Sequence, residues 1–189
     1  MGRYRDRRGD GAIVKPFDAT LRRPADMTGD DDWAFVVLPK EVSDQFERRG
    51  RTGAGCRIDG TPFQAVLEPD GQLSHWLKIP ADILDTAGVA PGSVATLEVR
   101  PLARELEPAL PDDFRAALAR SPDAKATWDA TTTIARIDWV HWMVSAKQAK
   151  TRQSRIDGAC DMLAAGKKRV CCFDPSGFYS KSLSAPREA

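Results

Sequence analysis

"LKIPADILDTAGVAPG" (residues 77–92) decides how the front of this chain is read. A strand-like run ends at Ile79-Pro80, an acid follows at Asp82, and Gly88 closes the segment. Proline early in a helix costs little, because its missing N–H would be unpaired there anyway. An acid in the first turn meets the positive end of the helix dipole. Glycine suits the position just past a helix. The order read here is strand, proline, short helix, glycine. "VVLPKEVSDQFERRG" (residues 36–50) repeats it with Pro39, Glu41 and Gly50. We read the two as an internal pseudo-repeat of strand–Pro–helix units.

Around these units the front of the chain is rich in strand signals. "FDATLRR" (residues 17–23) alternates, and "WAFVVLP" (residues 33–39) is an apolar run stopped by proline. "GAGCRIDGTPFQAVLEPDG" (residues 53–71) predicts a hairpin turning at Asp59-Gly60, since Gly accepts a positive φ without a clash. "LSHWLKIP" (residues 73–80) and "SVATLEVR" (residues 93–100) complete the set. Helix signals take over near residue 106. Pro111 with Asp112 and Asp113, then Ser121-Pro122-Asp123, are two helix starts, and Ser121 is placed to cap the second. Residues 131–166 read as a long helical stretch broken in the middle. At 100° per residue Trp139, Trp142, Met143, Ala146, Ile156, Cys160 and Leu163 share an apolar side, and Lys147, Gln148, Arg152 and Arg155 share the other.

Composition bounds the function. The 189 residues carry a net charge of +1, so any electrostatic partner must be read by a local patch. No apolar run approaches the ~18 residues of a membrane span. The front, "MGRYRDRRGDG", is basic but lacks an apolar stretch behind it, and reads as a flexible tail, not a secretory signal. These features fit a cytoplasmic protein without membrane contact. Cys56, Cys160, Cys171 and Cys172 read as free thiols, and adjacent Cys171 and Cys172 cannot bridge without strain. They form no C-x-x-C pair, and the histidines are His75 and His141, so no metal or other cofactor is expected.

Two resemblances rest on these motifs. The strand–Pro–helix–Gly–strand unit over residues 79–99 resembles that of AbrB and MraZ double-split β-barrels, in which two such units interleave. With both units in one chain, the arrangement is similar to a bacterial and archaeal barrel domain of unknown function. The match runs through Trp33, Leu38, Pro39, Ile58, Asp59, Gly60, Pro62, Phe63, Leu67, Pro69, Gly71 and Pro80. Residues 142–168 resemble the helical domain of the YdeI/OmpD-associated, bacteriocin-protection proteins. Trp142, Ala146, Lys147, Thr151, Arg152, Arg155, Ile156, Leu163 and Gly166 carry that match. Leu110, Pro111, Phe114, Leu118, Ala124 and Trp128 extend it upstream. Lys150 stands where that family usually has Glu, which removes a Glu–Arg pairing within the helix. The resemblance implies a link to stress or bacteriocin tolerance and no established chemistry.

The resulting expectation is α+β. A basic tail (1–15) precedes a small closed double-split β-barrel (16–102), a helical domain (107–169) and a C-terminal tail (170–189). Val170, Cys171, Cys172 and Phe173 should tuck against the helices, "DPSG" should turn, and the last residues should be loose. Catalytic templates are missing. There is no G-x-S-x-G or H-E-x-x-H, "GRTGAG" (residues 50–55) lacks the Lys of a phosphate loop, and His75 reads as a strand residue. A chance approach of Cys160 or Cys171 to His141 is the nearest thing to a nucleophile pair. Binding is the better expectation. The leading version is a small anionic ligand or peptide held at the barrel–helix junction by Lys147, Thr151, Arg152, Arg155, Trp33 and Trp76, since Arg grips carboxylates and phosphates through charge-assisted bonds; a blander version has the basic helix face dock another protein or nothing. The alternative is nucleic acid, read by an AbrB-like barrel with the basic tail, against which stand the acids Asp30, Asp31 and Asp32.

Overall fold

The computed structural model describes residues 15–25 and 32–189. Most of the basic tail lies outside the described residues, as do Asp30 and Asp31. The strand signals at the front fold as β1 (Phe17–Thr20), β2 (Ala34–Val37), β3 (Thr52–Ile58), β4 (Thr61–Pro69), β5 (His75–Ile79) and β6 (Val94–Pro101). They form one antiparallel sheet in the order β1-β6-β3-β4-β5-β2. Arg22, just past β1, exchanges two backbone hydrogen bonds of 2.9 Å with Phe35 of β2. That bridge brings the two edges together, so the sheet is a nearly closed barrel. Closure matters because an open edge leaves a row of unpaired N–H and C=O groups.

Alternation along the strands fills the barrel. Ala34 and Val36, Ala54, Cys56 and Ile58, Leu77 and Ile79, and Leu97 and Val99 all point inward and are buried. Each large aliphatic among them stabilises by about 1.5–3 kcal/mol relative to exposure. Asp59 and Gly60 both have positive φ (44° and 86°), as a two-residue type I′ hairpin requires.

The two strand–Pro–helix units are present. Pro39 and Pro80 immediately precede α1 (Lys40–Ser43) and α2 (Ala81–Ala87), with Glu41 and Asp82 in the first turns. Their strands β2 and β5 pair with each other, and the strands that follow the helices, β3 and β6, also pair. The repeat is imperfect at its ends. Gly88 takes the left-handed C-cap as expected, with φ 68°. Gly50 does not cap α1, which ends at Ser43 with Asp44 at its C-cap. It is buried beneath the C-terminal segment, where a β-carbon would lie 2.8 Å from Pro175 Cβ.

The helical domain comprises α3 (Asp112–Ala119), α4 (Pro122–Asp129), α5 (Thr133–Val144) and α6 (Ala149–Ala164). Phe114 and Trp128 meet edge-on at 5.2 Å, and Trp139, Met143, Ile156 and Leu163 complete the core. Ser121 occupies the N-cap of α4 but its side chain makes no capping bond. Thr132, expected inside the helical stretch 131–166, instead caps α5 by accepting from the Ala135 N–H at 3.3 Å. The break in the long stretch falls at residues 145–148, so one helical wheel does not hold across it. Lys147 and Lys150 stay exposed, whereas Arg152 and Arg155 are half-buried.

The C-terminal segment departs most from expectation. Val170 packs on the helical core, but Cys171 and Cys172 are exposed. The chain then returns to the barrel. Pro175 covers Gly50, Leu183 lies on Gly71, and residues 187–189 exchange backbone bonds with Arg23 and Ala25. The Asp174 carboxylate organises the DPSG turn by accepting from Ser176 and from the N–H groups of Tyr179 and Ser180. Burial raises this carboxyl more than any one bond lowers it, yet the bonds together outweigh it and hold it at about 2. The result is a strap from the helices to the barrel.

Gly71 has φ +75°, and a β-carbon there would sit 2.2 Å from the Leu183 carbonyl oxygen. Gly71→Ala should therefore cost about 1–3 kcal/mol. It should also speed amide exchange over residues 183–189 and leave α6 unchanged, as read by hydrogen–deuterium exchange.

Candidate functional site

The barrel and the helices meet along the loop Arg48–Arg51, β3 and the linker before α3. Gly53 makes the meeting possible. Leu102, Leu106 and Glu105 crowd its α-carbon so closely that a β-carbon would lie 3.1–3.3 Å from each. Glu105 accepts from the Gly53 N–H at 2.6 Å and from Thr52 Oγ1 at 2.7 Å. Glu107, two residues on, binds Arg136 and Thr133 of α5, and the Arg136 guanidinium lowers its carboxyl. The linker is thus fastened to the barrel at one end and to α5 at the other.

Three arginines in the loop take separate partners. Arg48 bonds to Asp138 of α5 in a largely buried ion pair. Burial raises the Asp138 carboxyl more than Arg48 lowers it, so this pair is held by position. Arg49 bonds to Asp44 and to the Ser43 carbonyl. Arg51 Nε donates to Glu68 at 2.6 Å. Its two terminal nitrogens make no hydrogen bond among the described residues.

Beside Arg51 lies a cavity of about 250 Å³ between β3, β4, the linker and α5. Val66, Leu106, Ile137, Val140 and Val144 supply an apolar wall, and Arg51, Thr52 and Glu68 stand at its edge. A larger cleft of about 540 Å³ opens across the linker; of its charged groups Arg48 and Glu105 are already paired, and the third, Glu47, is an acid.

The six residues singled out from sequence fall into two separate groups. Trp33 and Trp76 flank buried Phe35 on the β2–β5 face, and Lys78 Nζ stands 4.5 Å from the Trp33 ring centre. Arg152 forks onto Asp113 of α3 through Nε (2.7 Å) and Nη2 (3.0 Å), lowering the Asp113 carboxyl. Arg155 donates to the Trp142 carbonyl and to Ser145 Oγ and lies over the Trp142 indole. The two arginines therefore join α6 to α3 and α5. Their partners come from other helices, which explains why Lys150 in place of Glu leaves them satisfied. Lys147 and Thr151 are exposed. None of the six lines the junction cavity.

Sequence reasoning missed the cavity wall. Its signal was α5 itself. Ile137, Val140 and Val144 form a second apolar stripe beside Trp139 and Met143, and a helix apolar around most of its circumference is covered on more than one side.

Both histidines are buried. The Gly50 carbonyl can only accept, so His75 Nε2 carries the proton it donates there (3.2 Å), and Nδ1 accepts from Ser43 Oγ at 2.7 Å. Ser43 and His75 are fully buried, and this pair fastens α1 to β5. His141 packs edge-on against Phe173 at 5.2 Å, and its Nδ1 has no partner among the described residues. It makes no hydrogen bond to Cys160 or Cys171. Among the described residues there is no cluster of three or more His, Cys, Asp or Glu able to hold a metal, and no helix long and apolar enough to cross a membrane.

Burial lowers His75, and burial with nearby Arg51 and Arg48 lowers His141 to about 3. Depressed folded values mean that the unfolded chain binds more protons below the ordinary histidine range. Stability should fall as pH drops below ~6.5, by on the order of 1 kcal/mol per pH unit for each histidine, until the folded value is reached. His141→Leu should remove its own share of that slope, on the order of 1 kcal/mol per pH unit, between about pH 6 and pH 4, a range lying above its folded value of about 3, as measured by urea unfolding.

Comparison with known proteins agrees with both halves. The family described as "Bacteriocin-protection, YdeI or OmpD-Associated" (OmdA) matches residues 107–166. The domain of unknown function DUF1905 matches residues 17–99. Comparison with curated proteins gives no match. The helices that Arg152 and Arg155 hold together lie in the first of these regions and the nearly closed barrel in the second, so the helical part of the chain is similar to the YdeI- or OmpD-associated family and the barrel part to DUF1905.

Proposed function

We propose that the chain is a non-enzymatic binding protein whose site is the cavity between barrel and helices. Its ligand is a small amphipathic molecule or peptide end with an apolar body and one acidic group. The observation that carries this reading is the Arg51 guanidinium, tied through Nε to Glu68 but with its terminal nitrogens uncommitted beside an apolar wall. An acid entering there would accept from those nitrogens, while the valines cover its chain. At about 250 Å³ the cavity suits a small ligand, since drug-sized molecules need ~300 Å³ or more. The location keeps the junction expected from sequence and replaces the residues expected to line it. The family description of the helical domain, bacteriocin protection, supports a role in bacteriocin tolerance, which sequestering such a molecule would serve.

We also infer that the barrel is of the double-split, AbrB/MraZ-like type. The β2–β5 and β3–β6 pairings of the two repeat units support this. One observation favours a nucleic-acid role for it. Arg57 and Arg100 flank Gly55 on an open groove of about 350 Å³ on the outer face of β3, β4 and β6, and neither forms an ion pair among the described residues. Duplex and single-stranded DNA binding that weakens steeply with salt would support that reading.

Octanoate and benzoate serve as probes for the cavity in a thermal-shift titration. Octanoate should raise the melting temperature of the native chain. Arg51→Gln should weaken binding about 10-fold or more, the equivalent of one charge-assisted bond. Val140→Trp, which fills the cavity, should abolish it. An unchanged response in both variants would overturn the assignment.

A further inference from the structure

Cys171 and Cys172 stand at the start of the strap, and neither the cavity nor the grooves use them. Adjacent side chains on an extended backbone point to opposite sides. Here Cys172 has φ +58°, a left-handed conformation rare for a residue with a side chain. It turns the two thiols to one side, with Sγ atoms 3.1 Å apart. Both residues are exposed. Exposed Lys167, Lys168 and Arg169 precede them in sequence. The other two cysteines differ. Cys56 is inside the barrel with its thiol pushed up to about 12 by burial, and Cys160 is half-buried on α6 and also raised by burial.

We propose that Cys171 and Cys172 are a reversible two-electron redox site that reacts with hydroperoxides. Either sulfur can donate the shared hydrogen bond, and that bond raises the Cys172 thiol. We assign the attack to Cys171 and the resolving step to Cys172. Its thiolate attacks a peroxide oxygen, the O–O bond breaks, and Cys171 becomes a sulfenic acid as hydroxide, then water, leaves. The Cys172 sulfur, after giving up its proton, attacks the Cys171 sulfur and displaces the sulfenic hydroxyl as a second water. In sum two thiols and one hydrogen peroxide give one disulfide and two waters. The ring so formed spans adjacent residues and is strained, which makes the bond easy to reduce. An exposed, strained disulfide belongs to the labile class and not to the structural one.

The test treats the full-length folded chain with hydrogen peroxide, then alkylates, digests with trypsin and weighs the segment from Val170 to Lys181. The native chain should give a segment two hydrogens lighter than the dithiol, restored by dithiothreitol. Cys172→Ser should accumulate a dimedone-reactive sulfenic acid on Cys171, and Cys171→Ser should give little at Cys172. Cys56 should stay reduced throughout. Both sites are exposed, so the variants should fold, and matching circular dichroism confirms it. Sulfinic acid in the native chain, only intermolecular dimers, or equal trapping in the two variants would each overturn the proposal.

Discussion

The junction depends on the missing side chain at Gly53. Because β3 carries no β-carbon there, Leu102 and Leu106 can lie directly on the strand, and Glu105 can reach back to its N–H and to Thr52. That fixes where the linker runs. The path of the linker in turn sets α5 against the barrel, where Asp138 receives Arg48 and where Ile137, Val140 and Val144 face Val66 across the cavity. A larger residue at this point would move the linker, the ion pair and the cavity wall together. The strap adds a second link on another side, pressing Pro175 onto Gly50 and pairing its end with the segment after β1.

Charge is used here mainly to hold elements in place. Arg152 and Arg155 join helices, Arg48 and Arg49 fasten the loop after α1, and Arg136 holds the linker. Against this background Arg51, which spends one nitrogen on Glu68, and the pair Arg57 and Arg100 line a cavity or groove among the described residues without being fully committed to partners. Exposed lysines such as Lys147 and Lys150 interact weakly with solvent ions and carry little of the structure.

Much of the fold was legible because local chemistry and tertiary structure agree. The prolines at 39 and 80, the Asp59-Gly60 turn and the two-residue alternation of β3 and β6 each have one favourable conformation, and the barrel uses it. Gly50 misled because glycine serves two purposes, a left-handed cap or a close approach, and local sequence does not distinguish them. The site was less legible. Arg152 and Arg155 share a helix face, and a face shows neither the Asp113 carboxylate nor the Trp142 carbonyl that a neighbouring helix brings to it. The strap was invisible for a similar reason. Its polar composition suits a loose end, and what holds it are backbone bonds and two buried glycines far away in sequence.

The central claim is that the cavity beside Arg51 is where this protein binds. Methyl-labelled NMR spectra recorded while octanoate is added test it most directly, because they report place as well as affinity. The account predicts saturable shifts at the methyls of Val66, Leu106, Ile137, Val140 and Val144, with those of Leu77 and Leu97 in the barrel core unmoved. Shifts absent from the cavity wall, or centred on residues around Arg57 and Arg100, would contradict it.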